Sequence, residues 1–176
     1  HASWNGWGFA DIIFPFFLFI VGVAMPYSFA GRLARGDSSR KLLGQVLRRS
    51  LLLFALGLFL NAYPSFDLAT LRIMGILQRI AVCYFLAAII YLYLRPASGR
   101  LAGICAAILV LYYVLMVFVP VPGYGAGVLK PVGNWGNFID QQVMPGHLGH
   151  KTWESKRLLG NLPALVTTLM GLMAGL

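Results

Sequence analysis

Residues 101–121, LAGICAAILVLYYVLMVFVPV, run for 21 positions without one charged side chain. A helix in water keeps a polar stripe, so a run like this must be covered by lipid or protein on every side. Its length matches the roughly 20 residues that carry a helix across a hydrocarbon core. Residues 12–30, 46–62, 73–94 and 161–176 share this character. Composition agrees, with 59% hydrophobic and 11% charged residues and a mean hydropathy of +0.77. A soluble domain carries about 25% charged residues. The expected fold is therefore all-α: a polytopic transmembrane helical bundle with about five membrane-spanning helices. All of 1–176 is expected to form part of one transmembrane domain, with a polar loop over 122–160.

Basic residues orient the helices. Arg32, Arg35, Arg40, Lys41, Arg48 and Arg49 lie between the first two segments against one acid, Asp37; Arg95 and Arg100 separate the third and fourth. Both connections read as cytoplasmic. The second segment is short unless Arg48 and Arg49 snorkel to the interface. Alternation then gathers 1–11, 61–72 and 122–160 on the opposite face, with His147, His150 and all four tryptophans. The net charge of +9 needs no nucleic acid, because topology alone places eight of the fourteen basic residues in the cytoplasmic connections; anionic membrane lipid is the natural partner. His1 to Asp11 lacks the basic region and cleavage site of a signal peptide. The chain starts within a motif and stops within an apolar run, and it is expected to be an internal part of a longer protein. Cys83 and Cys105 fall inside spanning segments without metal or redox spacing, and no metal is expected.

Polar residues within apolar segments carry the functional information. Arg79, beside Gln78 in LRIMGILQRIAVCYF, is expected about two turns, roughly 10 Å, inside the third segment. An intramembrane arginine costs a few kcal/mol or more and should face the bundle interior with a partner. Arg72 and Arg79 are seven apart and would share one helix face, with Gly75 beside them allowing close backbone approach. Asp11 approaches from the same side, so it can pair with either arginine. A buried ion pair that sets helix register and a site for an anionic ligand stand as equal readings. The opening HASWNGWGFAD sets His1, Trp4, Asn5, Trp7 and Asp11 ahead of a helix holding Pro15 and Pro26. Those prolines free carbonyls that need protein or water partners, so this stretch reads as a cavity mouth.

HASWNGWGFADIIFPFFLFIVG resembles the signature of the heparan-α-glucosaminide N-acetyltransferase family, transmembrane acyltransferases that include a lysosomal enzyme and many bacterial relatives. LRIMGILQRIAVCYF, the VPVPGYG turn and LLGNLPALVTTLMGLMAG agree in order. The resemblance implies transfer of an acetyl group from cytoplasmic acetyl-CoA to the amine of a glucosamine-type sugar on the far side. It makes His1 the active-site residue, either as a base near neutral pH or as a covalent acetyl carrier. Asn5 or the Trp4 indole N–H would supply an oxyanion donor. Arg72, Gln78 and Arg79, or Arg48 and Arg49, would receive the cofactor. Asp11, Trp4, His147 and Glu154 would contact the amino sugar. Where the family shows a short Asp-Pro-Glu-Gly element, this chain has Glu154-Ser155-Lys156-Arg157, which puts acceptor preference in doubt.

A transporter or flippase for an anionic or sugar-linked substrate is the alternative, since it too needs intramembrane arginines, kinking prolines and a polar vestibule. The lack of N-x-[ST] sequons and the compact loops favour a bacterial inner membrane with His1 on the periplasmic side. Oligomeric state is left open, a homo-oligomer included.

Overall fold

The computed structural model describes residues 9–63, 66, 71–94, 97–128, 130, 133–143 and 158–176, and the side chains of 9–11 fall outside that description. The described residues are helical apart from turns, irregular connections such as 71–75, and one isolated bridge between Val121 and Gly125. Helix α1 spans Phe9–Leu33, α2 Ser39–Ala62, α3 Ile76–Ile89 and α4 Ser98–Val117. A π-helical turn, Ile90–Leu94, prolongs α3. Helix α5 is Trp135–Val143 and α6 Asn161–Gly175.

Local chemistry explains most boundaries. Gly36 adopts a φ of +88° after α1, where the Asp37 and Gly36 amides return to the carbonyls of Arg32 and Leu33. This pair of bonds is the glycine-terminated helix end that leaves no last-turn carbonyl stranded. Ser38 then caps α2, its hydroxyl accepting from the Lys41 amide at 3.3 Å. The expected loop between the first two segments thus shrinks to a tight turn. Helix α2 begins seven residues before position 46, and Arg40, Lys41, Arg48 and Arg49 ride on it. Helix α4 stops at Val117 rather than reaching 121, because Pro120 and Pro122 bias their preceding residues away from helical backbone. Within 122–160 the structure adds α5, which no apolar run announced.

Four helical stretches, Ile12–Leu33, Ser39–Ala62, Ile76–Leu94 and Ser98–Val117, are long and apolar enough to cross a membrane. The fifth expected segment forms a 15-residue apolar helix, α6. It is nevertheless the centre of the packing, lying against α1, α3 and α4, while α3 also packs on α2. Leu165, Leu169 and Leu172 of α6 meet Leu18 and Met25 of α1, Cys83 and Ala87 of α3, and Leu101 of α4 in one core.

Glycines bring α1 and α6 into backbone contact. A methyl group added at Gly171 would fall 2.0 Å from the Phe19 carbonyl oxygen, one at Gly175 2.5 Å from that of Val23, and one at Gly22 2.0 Å from that of Thr168. Both sets of residue numbers rise together, so the two helices run parallel. Where lipid and protein are equally apolar, close approach of this kind replaces the hydrophobic effect as the source of helix association. The opposite sides of α2 and α4 expose Leu51, Leu52, Phe59, Val110, Leu111 and Tyr113, as membrane-facing helices do.

Candidate active site

Most of the residues singled out at the chain start and in the polar loop, namely His1, Trp4, Asn5, His147 and Glu154, lie outside the described residues. Asp11 is placed by its backbone in the first turn of α1, and its side chain is outside the description. Three residues on, and so on the same helix face, Phe14 turns its ring to the Arg79 guanidinium at 5.8 Å from the ring centroid. The second turn of α1 and the first turn of α3 therefore meet. A cation over an aromatic face gains electrostatic attraction from the ring quadrupole, and this contact helps to seat the half-buried Arg79.

The arginine register differs from expectation. Residues 71–75 are not helical, and Gly75 caps α3 with extended backbone, φ −129° and ψ −170°. Arg79 therefore lies in the first turn of α3, about 4.5 Å from its start at 1.5 Å per residue, rather than about 10 Å inside. Arg72 lies before the helix, so the two do not share a helix face. The periodicity argument assumed that the apolar run LRIMGIL was helical throughout, and Gly75, an unfavourable helix residue, ended it.

What the structure brings together instead is a polar slot between the end of α2 and the start of α3. Gln78 is 1% exposed. Its amide occupies space vacated by two glycines: a methyl group at Gly57 would lie 2.6 Å from Gln78 Oε1 and 2.8 Å from Nε2, and one at Gly75 would lie 2.6 Å from Oε1. Asn61 closes the slot, donating from Nδ2 to the Arg72 carbonyl at 2.9 Å. Gln78 Nε2 is buried and has no hydrogen-bond partner among the described residues. Gly57, Leu60, Asn61, Arg72, Gly75 and Gln78 line an adjoining pocket of about 420 Å³. Gly57 and Asn61 carried no motif, though an asparagine closing the apolar run of α2 was a usable signal.

Arg48 and Arg49 are not part of this cluster. They are exposed on α2 and, with Arg32 and Gln45, line a pocket of about 350 Å³. Along α2, Arg49 and Asn61 are twelve residues apart, roughly 18 Å. Between them an apolar groove of about 250 Å³ is bordered by Arg49, Phe17, Val21, Leu53, Leu77 and Tyr84. The basic pocket thus lies beside the middle of α2 and the amide-bearing one where α2 ends and α3 begins.

Helix α5 buries a polar face. Asn134, Asn137 and Asp140, spaced three apart, are at most 2% exposed, whereas Trp135 and Phe138 are only half-buried and stack edge to face. The Asn137 amide donates to Asn134 Oδ1 at 2.9 Å, and Asp140 Oδ1 accepts from the Leu158 amide at 3.0 Å, just before α6. Trp135 Nε1 donates to the Val119 carbonyl at 2.8 Å. The helix is thereby tied to the exit of α4 and the approach to α6. The N-x-x-N-x-x-D spacing from 134 to 140 was the missed signal. Among the described residues no group of three or more His, Cys, Asp or Glu side chains is placed to hold a metal ion.

Comparison with known proteins adds to this geometry. Residues 2–143 match the family model described as heparan-alpha-glucosaminide N-acetyltransferase, catalytic. The chain is similar to the mouse protein named heparan-alpha-glucosaminide N-acetyltransferase, with 30% identity over 99% of this chain and 34% of the mouse protein. Its human counterpart of the same name is 32% identical, with the same coverage of each chain. The chain spans about a third of the length of these curated relatives.

Proposed function

The chain belongs to the heparan-alpha-glucosaminide N-acetyltransferase family, and from that membership we propose that it forms part of a membrane-embedded site moving an acetyl group from acetyl-CoA to the amine of a glucosamine-type sugar. The observation that carries this reading is the match over residues 2–143, which takes in α1 to α5 and the polar slot between α2 and α3.

In the proposed reaction the sugar amine attacks the acetyl carbonyl, a C–N bond forms, and the C–S bond breaks as the CoA thiolate leaves. His1 takes the amine proton, and the proton returned to the thiolate completes the balance. Imidazole titrates near 6.5 and so can hold that proton at neutral pH. In the second route His1 itself attacks the thioester and passes the acetyl group on. Asn5, or the indole N–H of Trp4, donates to the developing oxyanion. Arg48 and Arg49 suit the cofactor phosphates, because their exposed guanidinium groups flank a pocket with Arg32. Arg72, Gln78 and Arg79 lie roughly 18 Å further along, where α2 ends and α3 begins, and so belong with the acetyl group and acceptor rather than with phosphates. Asp11, His147 and Glu154 are the proposed acceptor contacts. The alternating helix directions support a common side for His1 and the 122–160 loop, which we assign to the periplasm of a bacterial inner membrane.

The test uses membranes carrying the complete protein, incubated with labelled acetyl-CoA and glucosamine, wild type against His1→Ala. Labelled N-acetylglucosamine that falls at least a hundredfold in the variant is expected, the usual scale for losing a proton-transfer residue. Equal labelling would remove His1 from the mechanism. Glucosamine crossing the membrane without acetylation would establish the transporter reading instead.

A further inference from the structure

We infer that the slot between α2 and α3 is the subsite for the acceptor's hydroxyl groups, with Gln78 Nε2 as the donor that reads one of them. This rests on the acetyl-transfer reading above. A side-chain amide nitrogen carries two N–H donors, and burying one without a partner costs the full desolvation of the group. Gln78 Nε2 is in that condition, and a ligand oxygen at the pocket wall would relieve it.

Two glycines make the room that the end of the Gln78 side chain fills. Any residue larger than glycine at Gly57 or Gly75 would collide with the Gln78 amide at 2.6–2.8 Å. Buried polar groups persist in membrane helices where they serve a pathway or a site. The second amide, Asn61, spends one donor on the Arg72 carbonyl, which fixes its orientation toward the same pocket. Asparagine and glutamine offer donor and acceptor together, which matches sugar hydroxyls, themselves both donor and acceptor.

Position and size favour the acceptor over the donor. The pocket of about 420 Å³ lies within the range of small-molecule sites and has room for one monosaccharide. It sits where α2 ends and α3 begins, level with the first turns of α1 through the Arg79 to Phe14 contact. The basic pocket at Arg48 and Arg49 lies roughly 18 Å away along α2, so cofactor phosphates held there leave this pocket, with its two amides and Arg72, to a hydroxyl-bearing group.

The experiment uses the complete protein in nanodiscs and measures equilibrium binding of glucosamine in the absence of acetyl-CoA, then steady-state kinetics. Gln78→Met keeps the shape and removes both amide functions; Gln78→Glu keeps the shape and removes the donor. Both should weaken glucosamine binding and raise its KM about tenfold, with KM for acetyl-CoA changed less than twofold, which also shows that the variants fold. One of 3-deoxy-, 4-deoxy- or 6-deoxyglucosamine should bind wild type about tenfold less tightly, and the same deletion should cost Gln78→Met nothing further. A site built to bond a hydroxyl discriminates against its loss in this way. A raised KM for acetyl-CoA with glucosamine binding unchanged would overturn the inference in favour of a cofactor contact. Equal deoxy-sugar penalties in wild type and variants would also overturn it. Wild type that binds glucosamine without acetylating it would refute the acetyl-transfer reading while leaving the subsite standing.

Discussion

Replacing Gly171 by alanine should separate α6 from α1. The added carbon would lie 2.0 Å from the Phe19 carbonyl oxygen, whereas a close C–H···O contact needs about 3.3 Å. The helices must therefore part by about 1.3 Å at that point. A gap of 0.5–1 Å already forfeits a quarter to a half of each dispersion contact along a packed seam. The nearby contacts of Gly22 with Thr168 and of Gly175 with Val23 would loosen with it, and overpacking of this kind costs about 3 kcal/mol at the upper end of its usual range. Gly103 on α4 is the matched control, because nothing lies within 4 Å of a methyl group there; alanine at that position should gain up to about 1 kcal/mol from helix propensity. Reversible unfolding of the complete protein in mixed micelles measures both. Gly171→Ala falling within about 0.5 kcal/mol of Gly103→Ala would show that α1 and α6 are not in backbone contact.

Two further outcomes follow from single contacts. Trp135→Phe keeps the aromatic packing on Phe138 but loses the 2.8 Å bond from Nε1 to the Val119 carbonyl; it should lower unfolding stability by about 1 kcal/mol, and no loss would mean that α5 is not anchored to the exit of α4. Lys41 Nζ lies 2.7 Å from Asp37 Oδ1 and, with help from Arg32 and Arg35, holds the Asp37 carboxyl below the usual carboxylate range. A lowered native pKa means stability that is full above the unfolded value near 4 and lost as pH falls through the native one. Unfolding midpoints of wild type and Asp37→Asn should therefore differ slightly at neutral pH and converge in acid; a difference that widens in acid would reverse the sign of the assignment.

The membrane-spanning character of the chain was legible in composition and run length because both reflect the solvent, and a lipid solvent leaves its mark on every exposed position. Residues 101–121 announced α4 without ambiguity. The end of α4 at Val117 was legible too, had Pro120 and Pro122 been weighed as helix breakers instead of being absorbed into the apolar run. Helix α5 was illegible to the same approach, since its buried face is the polar one, Asn134, Asn137 and Asp140. A search for apolar periodicity passes over a helix whose inward side chains are polar.

The site shows the same division more sharply. Gln78 and the two arginines drew attention as polar residues in an apolar run, and the structure gathers Gln78 and Arg72 around one pocket with Asn61. The geometry was misjudged because a seven-residue spacing specifies a shared face only when every residue between is helical. Gly75 takes extended backbone, so Arg72 stays in the connection while Gln78 and Arg79 open α3. That break lets the Gln78 side chain turn between Gly57 and Gly75. Had helix continued back through Arg72, Gly75 would lie within a helical turn instead of capping α3, and Asn61 would meet a carbonyl already committed to an intrahelical bond. The glycine that spoiled the sequence argument thus creates the slot, and substituting it should disturb both the start of α3 and the seat of the Gln78 amide.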